Sequence, residues 1–235
     1  MTKVKNQYVG DVNDFYKYGL LRALAKDDER IGVFWMLTEN DDGRDGNQVA
    51  YLENLSHGIH QDPELFQMMK ELRAQSGPNR VDLIEAAQVI PGASYCASKI
   101  LDDIDKRLAV FASAFKAFSD RSLIFFDPDN GLEVRSKKKG RKDSSKYLYR
   151  DEVKEAFKRD FSLLIYQHFP HIKREPYLWD RKSELKEWTG AEEVFCLGTK
   201  MVCFFLVPQK SRVGNFREKL KKFLGGWNGH FKPSL

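Results

Sequence analysis

Asp127-Pro128-Asp129-Asn130-Gly131 gathers two carboxylates and an amide around a proline and a glycine, and the apolar run Leu123-Ile124-Phe125-Phe126 leads straight into it. Pro128 lacks an N–H and presses Asp127 towards an extended conformation, while Gly131 admits positive φ, so the chain must leave its strand abruptly. Two carboxylates this close repel, and the pair needs an amine, a metal ion or protein donors nearby. A turn rich in Asp, Asn and Gly is also an ordinary end to a strand. What sets this one apart is the stability cost of two acids and an amide that nothing uses. A second polar cluster, Gln167-His168-Phe169-Pro170-His171, follows the apolar run Phe161–Tyr166. His168 there suits a base, a metal ligand or a hydrogen-bonded core residue. Lys17 and Tyr18 stand out in the opening segment, Tyr18 as a core residue and Lys17 as either a solvated cation or a site residue.

These groups need strands to aim them. Ile31–Leu37, Leu123–Phe126 and Phe161–Tyr166 are short unbroken apolar runs, as in strands buried on both faces of a parallel sheet. Polar residues at the carboxyl ends of such strands lie where open α/β sheets bind ligands. After Leu37 comes the acidic stretch Thr38–Gly46, with Asp41, Asp42, Gly43, Asp45 and Gly46. It lacks the G-x-G-x-x-G spacing, and a nucleotide-binding loop and an acidic surface turn both fit it. Helices are expected after Asp11, near Asn47, from Asp62-Pro63, across Leu101 to Phe118, over Asp151–Lys158, around Leu178 to Trp188 and from Val213 to Phe223. In the long one, Leu101, Ile104, Leu108, Phe111, Phe115 and Phe118 form the expected buried stripe. Val81–Ile90 gives no clear pattern. Glu193–Leu197 and Met201–Val207, joined by Gly198-Thr199-Lys200, form an expected antiparallel hairpin.

A chain of 235 residues, 42% of them hydrophobic, can bury one large core. A single α/β domain over 1–235 is expected, with a helical insertion at about 47–90. No apolar run spans a bilayer and the first residues are polar, so neither a membrane span nor a signal peptide is expected. Cys96, Cys196 and Cys203 show no metal-ligand spacing, which points to reduced thiols in a cytoplasmic protein. The net charge of +5 is mild, but its distribution is not. Arg135 to Arg150 holds eight Lys or Arg residues against one acid, Asp143. With Gly140, Ser144 and Ser145 it is expected to be a mobile loop. Such a run is either solvated or, beside a cleft, holds a phosphate backbone through Lys137, Lys138, Lys139, Arg141 and Lys142.

In its order of elements the chain resembles the class I S-adenosylmethionine-dependent methyltransferases, whose parallel sheet ends with an antiparallel strand. Within that class it is similar to the DPPY-type adenine-N6 enzymes, and among them to those that methylate an adenine of large-subunit ribosomal RNA. The residues that carry the likeness are Gly10-Asp11-Val12-Asn13-Asp14-Phe15-Tyr16-Lys17 and Asp127-Pro128. The resemblance implies a doubly wound, mostly parallel, Rossmann-like sheet ending in an antiparallel hairpin. It implies S-adenosylmethionine held by Asp41, Asp42, Gly43 and Gly46, and a catalytic set of Asp127, Pro128, Asp129, Asn130, His168 and Lys17. Two motifs depart from the family. Asp129-Asn130 stands where those enzymes have a proline and the aromatic that stacks on the flipped base, and the cofactor loop keeps only Gly43 and Gly46 amid aspartates. An alternative chemistry is a hydrolase using Mg²⁺ or Mn²⁺ on Asp127, Asp129 and Glu133, with His168 beside them. A third reading keeps the fold as a binding protein without chemistry.

Overall fold

The computed structural model describes residues 10–27, 29–38, 49–53, 61–75, 80–227 and 229–234. Helix α1 (Val12–Leu24) opens the described chain. Asp11 caps it by accepting from the Asn13 and Asp14 amides, and Asp14 returns to the Gly10 amide at 2.9 Å. Strand β1 (Ile31–Phe34) follows, then α2 (Pro63–Ala74), which starts on the Asp62 cap with proline in its first turn. The patternless stretch contains a short helix, α3 (Arg80–Ala86). After it come β2 (Ser94–Cys96), α4 (Ile104–Ala117), β3 (Leu123–Phe126), β4 (Gly131–Leu132) and β5 (Tyr147–Leu148). The remainder is α5 (Arg150–Lys158), β6 (Ser162–His168), α6 (Arg174–Thr189), β7 (Phe195–Gly198), β8 (Val202–Val207), α7 (Val213–Gly226) and β9 (Lys232–Ser234). Of the helix expected near Asn47, only a 3₁₀ turn at Ala50–Leu52 falls among the described residues.

Seven strands form one mixed sheet in the order β2-β1-β3-β6-β8-β7-β9. β2, β1, β3 and β6 are mutually parallel, and β8 runs antiparallel to both β6 and β7. The chain does not finish at β8: α7 follows, and β9 adds a further antiparallel strand beyond β7. β1 is shorter than its apolar run, because Met36 takes φ 47° and turns the chain after Trp35. The central strands are buried on both faces, which explains why their sequences do not alternate. Leu123 and Phe125 join one core with α1, α2, α3 and α7, while Ile124 and Phe126 join another with α4, α5 and α6. Among the described residues no helix is long and apolar enough to cross a membrane.

The buried stripe of α4 differs from expectation. Ile104 and Leu108 are each 50% exposed, whereas Arg107 is fully buried. The inward face is Arg107, Phe111, Ala114 and Phe115, with Phe118 just beyond the helix, a helical repeat in its own right. The guanidinium enters because Glu152 meets it with two bonds, at 2.5 and 2.9 Å. It also donates to the Ser144 and Tyr147 carbonyls, at 3.2 and 2.5 Å, and lies over the rings of Phe111 and Tyr149.

Candidate functional site

The carboxyl ends of β1, β3 and β6 meet α1 at a buried charge cluster. Lys17 Nζ lies 2.9 Å from Asp127 Oδ2, although 110 residues separate them, and 3.0 Å from Asp14 Oδ1. It reaches Asp127 because its side chain projects inward from α1 with Tyr18, and the Lys17 side chain is only 8% exposed. The ammonium is ringed by aromatic faces, 5.0 Å from the Tyr166 centroid, 5.7 Å from Tyr18 and 5.8 Å from Trp35. Burial opposes its charge, but Asp127 and Asp14 outweigh that and hold Lys17 well above the ordinary lysine range. Burial pushes Asp127 up as well, and Lys17 pulls it partly back. The ammonium has two carboxylates beside it, so it is the better compensated partner of the pair. Asp11, behind Asp14, is pushed up to about 7 by burial and then by the Asp14 charge, against its capping hydrogen bonds and Lys17. Burial also raises the hydroxyl pKa values of Tyr18 and Tyr166.

The turn after Asp127 is fixed from below by Gln167, a buried amide on β6. Its Oε1 accepts from the Leu132 amide at 2.8 Å, and its Nε2 donates to the carbonyls of Asn130 and His168 at 2.9 and 2.8 Å. Gly131 takes φ +101°, and a Cβ there would stand 2.2 Å from Gln167 Oε1. Only glycine leaves room for this amide at that backbone angle. Asp129 Oδ2 accepts from Thr38 Oγ1 at 3.0 Å, tying the turn to the chain beyond β1. Pro128 is buried and Asn130 half-buried. His168 is exposed at the end of β6, its ring edge-on to Tyr166 at 5.0 Å. It is linked to the Asp127 turn through Gln167.

Asp41, Asp42, Gly43 and Gly46, the expected cofactor loop, lie outside the described residues. Of the metal alternative, Asp127 pairs with Lys17, Asp129 accepts from Thr38, and Glu133 accepts from the Arg150 amide at 3.1 Å. Among the described residues no three His, Cys, Asp or Glu side chains gather in a way that could hold a metal ion.

The basic segment is not the free loop that its glycine and serines suggest. β4 and β5 pair in parallel at its base, and the Asn130 amide donates to the Lys146 carbonyl at 2.9 Å. Asp102 accepts from the Asp143 amide, the Ser145 amide and Ser144 Oγ at 2.7, 2.6 and 3.1 Å. Burial works against the Asp102 charge, yet these bonds hold its carboxyl below the usual range. Lys137 pairs with Asp143 at 2.8 Å, and Lys139 with Asp151 and Glu152 at 2.6 and 2.9 Å. Serine and glycine here make a tight, hydrogen-bonded turn instead of slack chain. Arg135, Lys138, Arg141 and Lys142 remain exposed.

Sequence reasoning missed Gln167, Asp102, Arg107 and Asp14 as organisers of this region. Arg107 carried a signal, its helical spacing to Phe111 and Phe115. Gln167 carried only its place beside His168. No protein-family model matches the chain, and no curated protein matches it.

Proposed function

We propose that the chain transfers a methyl group from S-adenosylmethionine to the exocyclic amine of a nucleic-acid base. The observation that carries this reading is the strand order around Asp127. Parallel β2, β1, β3 and β6 are followed by antiparallel β8 between β6 and β7, and Asp127-Pro128 leaves β3 at the carboxyl edge. A doubly wound sheet binds its ligands at that edge, and the antiparallel strand beside the parallel set is the feature that the resemblance rests on. The residues there fit a cationic cofactor. Asp14, Asp127 and Asp129 outnumber Lys17, a balance that favours an ammonium and a sulfonium and disfavours phosphates.

Bound there, S-adenosylmethionine would supply an electrophilic methyl group. Lys17 favours the carboxylate form of Asp127 against its burial and fixes one of its oxygens. The carboxylate accepts one hydrogen of the base amine and the Pro128 carbonyl the other, orienting the nitrogen lone pair for attack; as the N–C bond forms, the S–C bond would break with its electron pair left on a neutral thioether, and the amine would lose one proton through Asp127 to solvent. Catalysis of this kind is positioning and charge complementarity. The exposed cations Arg135, Lys138, Arg141 and Lys142 hold phosphates on a rigid platform, while Lys137 and Lys139 brace it.

Thermal melts with S-adenosylmethionine, and transfer of a labelled methyl group to RNA or DNA, test the reading. The cofactor is expected to raise Tm by mass action. Asp127→Asn should keep part of the transfer, since an amide oxygen still accepts from the amine, and Asp129→Ala should be tolerated. Stabilisation by Mg²⁺ or Mn²⁺ instead, erased by both substitutions, would overturn it.

A further inference from the structure

Helix α6 presents an indole to solvent. Trp179 is 67% exposed, more than any other large apolar side chain among the described residues, whereas Trp35, Trp188 and Trp227 are buried. Leu178, Leu185 and Trp188 turn into the core from the same helix. On the side turned away from them, Glu175, Trp179, Lys182 and Lys186 follow at intervals of four, three and four residues, which keeps them on one stripe. Glu175, Trp179 and Lys186 are exposed and Lys182 is half-buried. The acid in the first turn and the base in the last suit the dipole of the helix. The indole between them serves neither the dipole nor the core.

The stripe is complementary to itself. Glu175 and Lys186 lie about 16 Å apart along the axis, at a rise of about 1.5 Å per residue, so they cannot pair within one chain. A two-fold axis crossing the stripe between Asp180 and Arg181 sets a second α6 antiparallel to the first. Glu175 of each copy then faces Lys186 of the other, and Trp179 faces Lys182. A parallel pair in register would set like charges together instead.

We propose that this face of α6 is the interface of a two-fold homodimer, packed antiparallel against the same face of a second copy. The four-three-four spacing is the seam of an antiparallel helix pair, and the contact is isologous, one patch meeting itself. The aliphatic stem of Lys182 covers the indole, which supplies most of the binding energy as a large, rigid anchor. One helix pair makes a small interface, so the dimer is weak and forms as concentration rises. On the inner side of the helix Arg181 donates to the Glu133 carbonyl at 3.1 Å, so the interface backs onto the segment that leaves the Asp127 turn. The proposal goes beyond the transfer chemistry and does not depend on it.

Sedimentation equilibrium of the full chain should show monomer at about 1 µM and a rising share of dimer towards about 200 µM. Trp179→Ala should raise the dissociation constant at least about ten-fold at wild-type Tm. Glu175→Lys and Lys186→Glu should each weaken association, because each sets like charges across the axis. Mixing these two variants should restore it, since every charge then meets its opposite on the other chain. Acrylamide quenching of tryptophan fluorescence should fall as the wild type associates, because Trp179 is the exposed indole. A chain that stays monomeric across the whole range would overturn the proposal. So would a dimer that Trp179→Ala leaves unchanged, a mixture that assembles no better than its two components, or quenching that stays constant while the dimer forms.

Discussion

At the scale of single residues, the Lys17–Asp127 pair decides most. Each partner is conspicuous in the sequence, Lys17 at the end of a Gly-Asp-Asn-rich helix and Asp127 before a proline. Their pairing is not legible there, because nothing local signals an ion pair across 110 positions. Removing one member of a buried pair leaves an uncompensated charge, so Lys17→Met should destabilise the fold by about 3–5 kcal/mol. Adding Asp127→Asn should recover part of that loss in a double-mutant cycle of denaturant unfolding. Asp11 offers a pH signature. Its pKa rises from an ordinary 3.8 to about 7 in the fold, so between roughly pH 4 and 7 the native state keeps a proton that the unfolded chain has lost. Stability from this group is full below that window, falls as pH rises through it and is level above. Asp11→Asn, which keeps a capping oxygen, should remove this fall. Its Tm relative to wild type should climb from pH 4 to 7 and then flatten.

At the scale of elements, β1, β3 and β6 are legible as unbroken apolar runs because each is covered on both faces. The α4 stripe misleads for a physical reason: a buried arginine looks like a surface residue until its carboxylate, 45 positions away, is known. The basic segment misleads likewise, since Asp102, which fastens it, lies 41 positions upstream. The short β4–β5 pair cannot be foreseen from two residues a side. It depends on Gly131 and Gln167, which gives a direct test. Gly131→Ala should cost about 2–4 kcal/mol, from left-handed backbone strain and collision with the Gln167 amide. In the Gln167→Ala background the same change should cost less, because only the backbone strain remains. Chemical denaturation of the four proteins in that cycle measures the difference.

At the scale of the whole molecule, two regions of opposite charge stand out among the described residues. The strand ends and α1 gather carboxylates, and the excursion between β4 and β5 presents exposed cations held on a firm base. If the exposed cations serve phosphates, Arg135→Gln, Lys138→Gln, Arg141→Gln and Lys142→Gln together should flatten the salt dependence of nucleic-acid affinity, by about 0.7 in slope for each single-strand phosphate no longer neutralised. Tm should barely move, because none of these four is needed for the packing of the fold. Unchanged slope with unchanged Tm would show them to be merely solvated.

Helix α1 joins both ends of this architecture. Lys17 reaches forward to β3, Gly19 makes room for the Trp227 ring, and Lys219 of α7 donates to the Leu24 carbonyl at 2.9 Å. During synthesis α1 leaves the ribosome ahead of every other described element, yet its charged face finds no carboxylate on β3 until Asp127 emerges. The end of the helix is closed only when α7 follows. The first of the described helices to be made is thus among the last of them to be locked, and a nascent chain halted between β3 and α7 would carry an assembled charge cluster on a helix still open at its far end.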